Sequence, residues 1–354
     1  MKYIKGFDGL RAVSIIFVLL THLGLSRFFA DGTFLKTNYN LISGSTGVMI
    51  FFTISGFLIT LLLLNEKNTF QKIHIKHFFI RRFLRLLPPL LLFYSIVFGL
   101  MLFGYLPENY IALGISFFYL YNFVPLKYYV SELGHTWSLA MEEQFYLIWP
   151  FLLRFIKKIK SVVYIIIALS ALCILVKVFY RDPIILSGKT YFLFDYFFPN
   201  RWFIPACLPI MLGALSAILL FKKKVFIKNI FFNKKWPLAF ALVLFCMQLC
   251  IAYKPFILIE TAQPIAVCVF LLWIYFNQQS KIVSVLEYKP IAFIGKISYG
   301  LYVYQGLFLR TGPGGSLEIQ KFPLNIILVF VVAIISYYFV EKPILQLKRR
   351  FKPH

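Results

Sequence analysis

Gly47-Val-Met-Ile-Phe-Phe-Thr-Ile-Ser-Gly-Phe-Leu-Ile-Thr60 runs straight into Leu61-Leu-Leu-Leu64, and no charged side chain falls between residues 43 and 64. A helix needs about 20 mostly apolar residues to cross a hydrocarbon core about 30 Å thick. The stretch therefore reads as a membrane span. Gly47, Gly56, Ser55 and Thr60 are small enough to let another helix approach closely. Helix contact is a simpler reading of Ser55 than catalysis.

The same signal recurs outward in both directions. Of the 354 residues, 60% are hydrophobic and only 14% charged, against about 25% charged in a soluble domain. Apolar runs at roughly 9–28, 43–64, 86–105, 137–156, 161–180, 202–221, 236–254, 256–276, 291–310 and 323–341 predict about ten transmembrane helices. The expected fold is an all-α, polytopic integral membrane protein forming a single domain over residues 1–354, with no fused soluble domain. A further stretch at 109–126 holds Asn122 and Pro125 and is short for a span.

Charge placement decides how that stretch is read. The formal net charge is +24, but the cations form short clusters between apolar runs, not the single patch that nucleic acid requires. If 109–126 does not cross, most of the 37 Lys and Arg fall on one side, which the positive-inside rule makes cytoplasmic. If it crosses, Lys222–Lys224 and the Lys348-Arg349-Arg350 tail face outward. The segment is expected to be re-entrant or interfacial, with both termini cytoplasmic. The largest non-span segments are then the basic loop at 65–85 and outer loops near 27–42, 181–200 and 311–322. The five cysteines, Cys173, Cys207, Cys246, Cys250 and Cys268, lie inside apolar runs without a CxxC spacing and read as buried thiols. No metal site is expected. The first apolar run follows Lys2, Lys5 and Arg11 but lacks a small-x-small cleavage site, so it is expected to be retained as a span.

Ionisable residues inside such runs are functional candidates, because burial in lipid is costly. Arg11 and His22 are eleven residues apart, about three helical turns, so they share a face with His22 about 16 Å deeper. The simpler alternative for His22 is a packed imidazole bonded to a backbone carbonyl. The sequence His135-Thr-Trp137-Ser138-Leu-Ala-Met-Glu142-Glu143-Gln-Phe-Tyr146 places Ser138, Glu142 and Tyr146 on one stripe at i, i+4 and i+8. Glu142 and His22 come out at similar depths, so the carboxylate can orient the imidazole if their helices are neighbours. Headgroup-level solvation of both glutamates is the plain alternative. His74, His77, Arg81, Arg82 and Arg85 make an amphipathic basic segment. It suits either anionic lipid or a phosphorylated ligand, which arginine binds with a fork of donors.

These residues resemble the acyltransferase-3 family of bacterial membrane-bound acyltransferases. The resemblance is carried by Arg11-x10-His22 within Phe7-Asp-Gly-Leu-Arg11, and by Gly47–Thr60. It continues through Arg81-Arg-Phe-Leu-Arg85-Leu-Leu-Pro88, His135–Tyr146, Ile297-Ser-Tyr299-Gly-Leu-Tyr302 and Val340-Glu-Lys-Pro343, in family order over almost the whole chain. One departure is Gln305, where the family often has histidine. The resemblance implies transfer of an acyl group, usually acetyl, from acyl-CoA to a hydroxyl of a cell-surface carbohydrate or glycolipid such as a polysaccharide or lipopolysaccharide. It implies residence in the bacterial inner membrane. No permanently bound cofactor is expected; acetyl-CoA or another acyl-CoA serves as co-substrate. On this reading His22 and Glu142 are catalytic, with His22 a general base or an acyl relay. Arg11, Arg81, Arg82 and Arg85 bind the CoA phosphates. His135, Trp137, Ser138, Tyr146 and Tyr299 bind the acceptor. A transporter or flippase for a lipid-linked sugar is the competing reading, though no inverted repeat is visible. A non-catalytic scaffold leaves Arg11, His22 and Glu142 without a reason.

Overall fold

The structure is a computed structural model that describes residues 3–29, 31, 33, 39–181, 196–250 and 256–347. It is all-α, with no strand among the described residues. The helices used below are α1 (Phe7–His22), α2 (Gly44–Phe70), α3 (Ile75–Leu102), α4 (Tyr110–Phe117), α5 (Thr136–Phe155) and α6 (Ile159–Arg181). There follow α7 (Leu208–Lys222), α8 (Lys224–Phe231), α9 (Trp236–Cys250), α10 (Phe256–Phe276), α11 (Lys281–Leu286) and α12 (Lys289–Lys296). The series ends with α13 (Ser298–Phe308), α14 (Leu324–Ser336) and α15 (Lys342–Leu347). The π-turn Tyr337–Glu341 joins α14 to α15.

Among the described residues, four helical stretches are long and apolar enough to cross a membrane: Gly44–Phe70, Ile75–Leu102, Ile159–Val178 and Leu324–Leu347. A fifth pair, Lys224–Phe231 with Trp236–Met247, is bent by 84°. The count of about ten expected from hydropathy is not reached on this criterion. The helix at the first expected span has only 16 residues. The 291–310 run is broken at Ile297 into α12 and α13, and α5 carries Glu142, Glu143 and Arg154. The loop expected near 181–200 lies largely outside the described residues, as do residues 34–38 of the loop near 27–42 and the Lys348–Arg350 tail.

The basic loop expected at 65–85 is not a loop. α2 continues to Phe70 and α3 begins at Ile75. Hydropathy reports where lipid contact ends, whereas Asn65, Glu66, Lys67 and Asn68 do not interrupt helical geometry. A compact polar knot closes the turn. Glu66 accepts from the His74 backbone N–H at 2.7 Å and from Arg81 at 3.2 Å, with His74 Nδ1 also at 3.2 Å.

Residues 109–126 do not form a crossing helix either. α4 has eight residues, about 12 Å of helix. Asn122, one of the residues that weakens the span reading, exchanges two hydrogen bonds with Gln144 of α5, at 3.0 and 3.3 Å. Ser116 is bonded to Tyr94 of α3 and to Thr136 of α5.

Close helix approach holds the centre together. In lipid, packing of small residues replaces the hydrophobic drive between helices. A Cβ on Gly56 would meet the Ile210 carbonyl of α7, and one on Gly213 the Thr53 carbonyl of α2. On the other side of α2, a Cβ on Gly47 would meet the Ser14 carbonyl of α1. α2 is thereby clamped between α1 and α7. Trp149 of α5 donates to Thr60 of α2 at 2.8 Å, an interhelical bond worth about 0.6–2 kcal/mol. At the far end of α1, the Glu287 carboxylate accepts from Tyr3 and from the Gly6 N–H. Gly9 and Gly295 let α11 and α12 press on the first turn of α1.

Candidate active site

Two polar groups converge inside the bundle. The first lies towards the basic end. Glu142 on α5 is partly buried and accepts from Ser55 on α2 at 2.7 Å and from Tyr146, one turn on, at 3.2 Å. The guanidinium of Arg82 lies 4.7 Å from the centre of the Tyr146 ring, and Glu142 and Glu143 both lie in its field. Arg85, one helical turn along α3, faces Arg11, Arg82 and Asp8. Arg11 is paired with Asp8 at 2.8 Å. Glu341, in the π-turn, is 5% exposed with Oε1 unpartnered among the described residues, and Arg85 lies beside it. Three arginines so close together repel one another. Among the described residues the ion pairs at this end go to Arg11 and Arg81, and no acid closes on Arg82 or Arg85. Such a cluster favours a polyanion.

The second group lies at the opposite end of α1. His22 closes that helix, and its Nδ1 is buried without a partner among the described residues. The Thr311 backbone lies beside the ring. His135, at the start of α5, is 3% exposed, with the backbone carbonyls of Glu132 and Val303 beside its ring, and it stands in the field of His22. Its ring meets Phe93 and Tyr302 edge-on, with centroids 5.3 and 5.5 Å away. Gly306 makes room for it, since a Cβ there would collide with the His135 ring. The adjacent Gln305 is fully buried with neither amide atom partnered. Tyr302 joins the two groups. Its hydroxyl shares a short hydrogen bond with Ser138, donates to the His135 carbonyl at 3.1 Å, and lies in the field of Glu142.

The structure brings several sequence candidates together and separates others. Ser138, Glu142 and Tyr146 do form one stripe, and His135 lies in the field of His22. Glu142 is hydrogen-bonded to Ser55 and Tyr146, not to His22, because α2 stands between α1 and α5. Arg81 is held by Glu66 and also lies in the field of Arg82. Tyr299 donates to the Leu86 carbonyl at 2.8 Å, near the Pro88-Pro89 step of α3. Trp137 meets Phe52 edge-on. Ser55, Tyr302 and Glu341 are site residues that the sequence alone does not single out. Each lies in a family motif, yet its role depends on contacts across the bundle that no local spacing reveals. Among the described residues no group of three His, Cys, Asp or Glu converges as metal ligands would.

A polytopic helical bundle with an arginine cluster at one end and buried imidazoles at the other has the plan of a membrane-bound acyl-transfer enzyme. The acyltransferase-3 model, described as an acyltransferase domain, matches residues 4–341, and the chain belongs to this family. It is 29% identical to a putative peptidoglycan O-acetyltransferase, YrhL, of Bacillus subtilis, over 97% of this chain and 55% of that protein. It is 30% identical to the peptidoglycan O-acetyltransferase OatA of Listeria monocytogenes, over 97% and 56%. It is 28% identical to the O-acetyltransferase OatA of Staphylococcus aureus, over 97% and 57%. The chain thus spans about half the length of the curated relatives it matches. No solved structure matches it.

Proposed function

We propose that this chain transfers an acetyl group from acetyl-CoA to a hydroxyl of a cell-envelope carbohydrate, with a peptidoglycan glycan as the acceptor suggested by its relatives' names. The observation that carries this is the pairing of a crowded arginine cluster with a buried imidazole, His22, whose Nδ1 has no partner among the described residues, in one bundle. Arg11, Arg82 and Arg85 receive the CoA phosphates from the cytoplasmic side, with Arg81 steadying the turn beside them through Glu66. The thioester extends along the Arg11–His22 face, about 16 Å by helical rise. The acceptor enters from the other end, past His135, Trp137 and Ser138.

His22 acts as general base. A carbonyl beside the ring, that of Thr311, favours the tautomer with hydrogen on Nε2, which leaves the Nδ1 lone pair free. Nδ1 takes the acceptor hydroxyl proton as the oxygen attacks the thioester carbonyl carbon. The C–S bond breaks, CoA leaves as thiolate, and the proton passes from the imidazolium to that sulfur. Glu142, polarised by Ser55 and Tyr146, acts at one remove through Tyr302 and Ser138, which fix the His135 end of the site. Tyr299 anchors α13 to α3. The test is labelled acetyl-CoA added to membranes holding the wild-type chain or His22→Ala, with label counted in lipid-linked and polysaccharide fractions. Label in the wild type that disappears in the variant is expected. Equal label in folded His22→Ala would remove His22 from the chemistry.

A further inference from the structure

Just beyond the imidazoles, Arg201 occupies a place that the reaction above does not use. It ends the short 3-10 turn Pro199–Arg201, and its Nη1 is buried without a partner among the described residues. Its guanidinium lies over three rings: Phe198 at 4.2 Å, Tyr129 at 5.6 Å and Trp137 at 5.8 Å. Trp137 sits in sequence between His135 and Ser138, so this floor adjoins the second polar group. Tyr302, which links that group to Glu142, lies in the field of Arg201.

A guanidinium stays charged at any physiological pH, so a buried, unpaired N–H of this kind lacks its counter-charge. Cation–π contact orients the group without supplying an acceptor. The fold does place a carboxylate nearby, Glu132, which shares Tyr121 as an electrostatic neighbour with Arg201. That carboxylate is taken by Arg310 at 2.9 Å. An aromatic floor and a forked cation together suit a sugar ring carrying an oxyanion.

We infer that Arg201, with Trp137, forms an acceptor subsite for a glycan bearing an oxyanion, a carboxylate or a phosphate ester, next to the hydroxyl that is acylated. This rests on the transferase reading and adds the charge class of the acceptor. A neutral glycan would leave the guanidinium unpaired and bind more weakly.

The test compares three acceptors with the full chain in detergent and acetyl-CoA as donor. They are a peptide-free oligosaccharide containing N-acetylmuramic acid, the same oligosaccharide with its carboxyl reduced to the alcohol, and the reduced form carried as a 1-phosphate. The wild type is expected to show a KM for a charged acceptor about 10- to 100-fold below that of the reduced one, as loss of a charge-assisted bond implies. Arg201→Gln raises that KM to the neutral value, leaves kcat largely unchanged, and does not alter the KM of the reduced acceptor. Arg201→Lys recovers part of the preference, because it restores charge without the fork. Preference for the phosphate arm alone assigns the oxyanion to phosphate, and preference for the carboxylate arm alone to the sugar acid. Equal wild-type KM for all three, or an equal rise for all three in Arg201→Gln, overturns the subsite while leaving the transferase intact. Acylation of none of the three by the wild type overturns the transferase reading and the subsite with it.

Discussion

Glu66 and His22 close opposite ends of the same bundle, and their surroundings differ in kind. Glu66 is 6% exposed and saturated: Arg81, the His74 N–H and the His74 ring all lie on its two oxygens. Around His22 several polar atoms are unsaturated, with His22 Nδ1 and both amide atoms of Gln305 lacking partners among the described residues. Buried polar groups are normally hydrogen-bonded, and an exception demands an explanation. A saturated knot stabilises the fold. An unsaturated one is stabilised only when a substrate completes it, so its mutation should change turnover and spare stability.

The largest effect is expected at the unsaturated end. His22→Ala should lower acetyl transfer by about 10²–10⁴-fold, the usual range for a lost general base, with an unchanged melting temperature by fluorescence. Glu66→Ala should do the reverse. Removing the acid takes away the carboxylate that Arg81 and the His74 N–H share, at a cost of about 3–5 kcal/mol, read as a lower melting temperature, while turnover per folded molecule is kept. Gly306→Ala should displace the His135 ring, since the added Cβ collides with it, and lower transfer more than stability. Ser55→Ala should be mildest. One hydrogen bond to Glu142 is lost, worth about 1.5–3 kcal/mol to a charged group but shared with Tyr146, so a several-fold drop in kcat is expected. A fall in stability after His22→Ala, with Glu66→Ala leaving it untouched, would reverse the roles of the two ends.

Much of this contrast is legible in the sequence. The apolar run at 43–64 is the body of α2, and the Ser138–Glu142–Tyr146 stripe is a hydrogen-bonded face of α5. Such features depend on helical period alone. The parts that are not legible depend on contacts distant in sequence. Ser55 reads as a packing residue until α5 brings Glu142 to it, and Tyr302 reads as one residue of a motif until Ser138 meets it. The 291–310 run reads as one span, but Gly295 is pressed onto the Asp8 carbonyl of α1 and the helix restarts at Ser298. The 65–85 segment reads as a loop because its charge density mimics the end of a helix. Arg201 carries no local signal at all. Only the aromatic floor from Tyr129, Trp137 and Phe198 distinguishes it from an ordinary loop cation.

Two quantities measured on purified wild type, His22→Ala and Glu66→Ala decide whether the two ends differ in role: the melting temperature, and acetyl transfer per folded molecule from labelled acetyl-CoA to a glycan acceptor. A crossed result is expected, with His22→Ala losing transfer at an unchanged melting temperature and Glu66→Ala losing melting temperature at unchanged transfer. Parallel losses of both quantities in both variants would contradict it, because the two ends of the bundle would then differ in position and not in role.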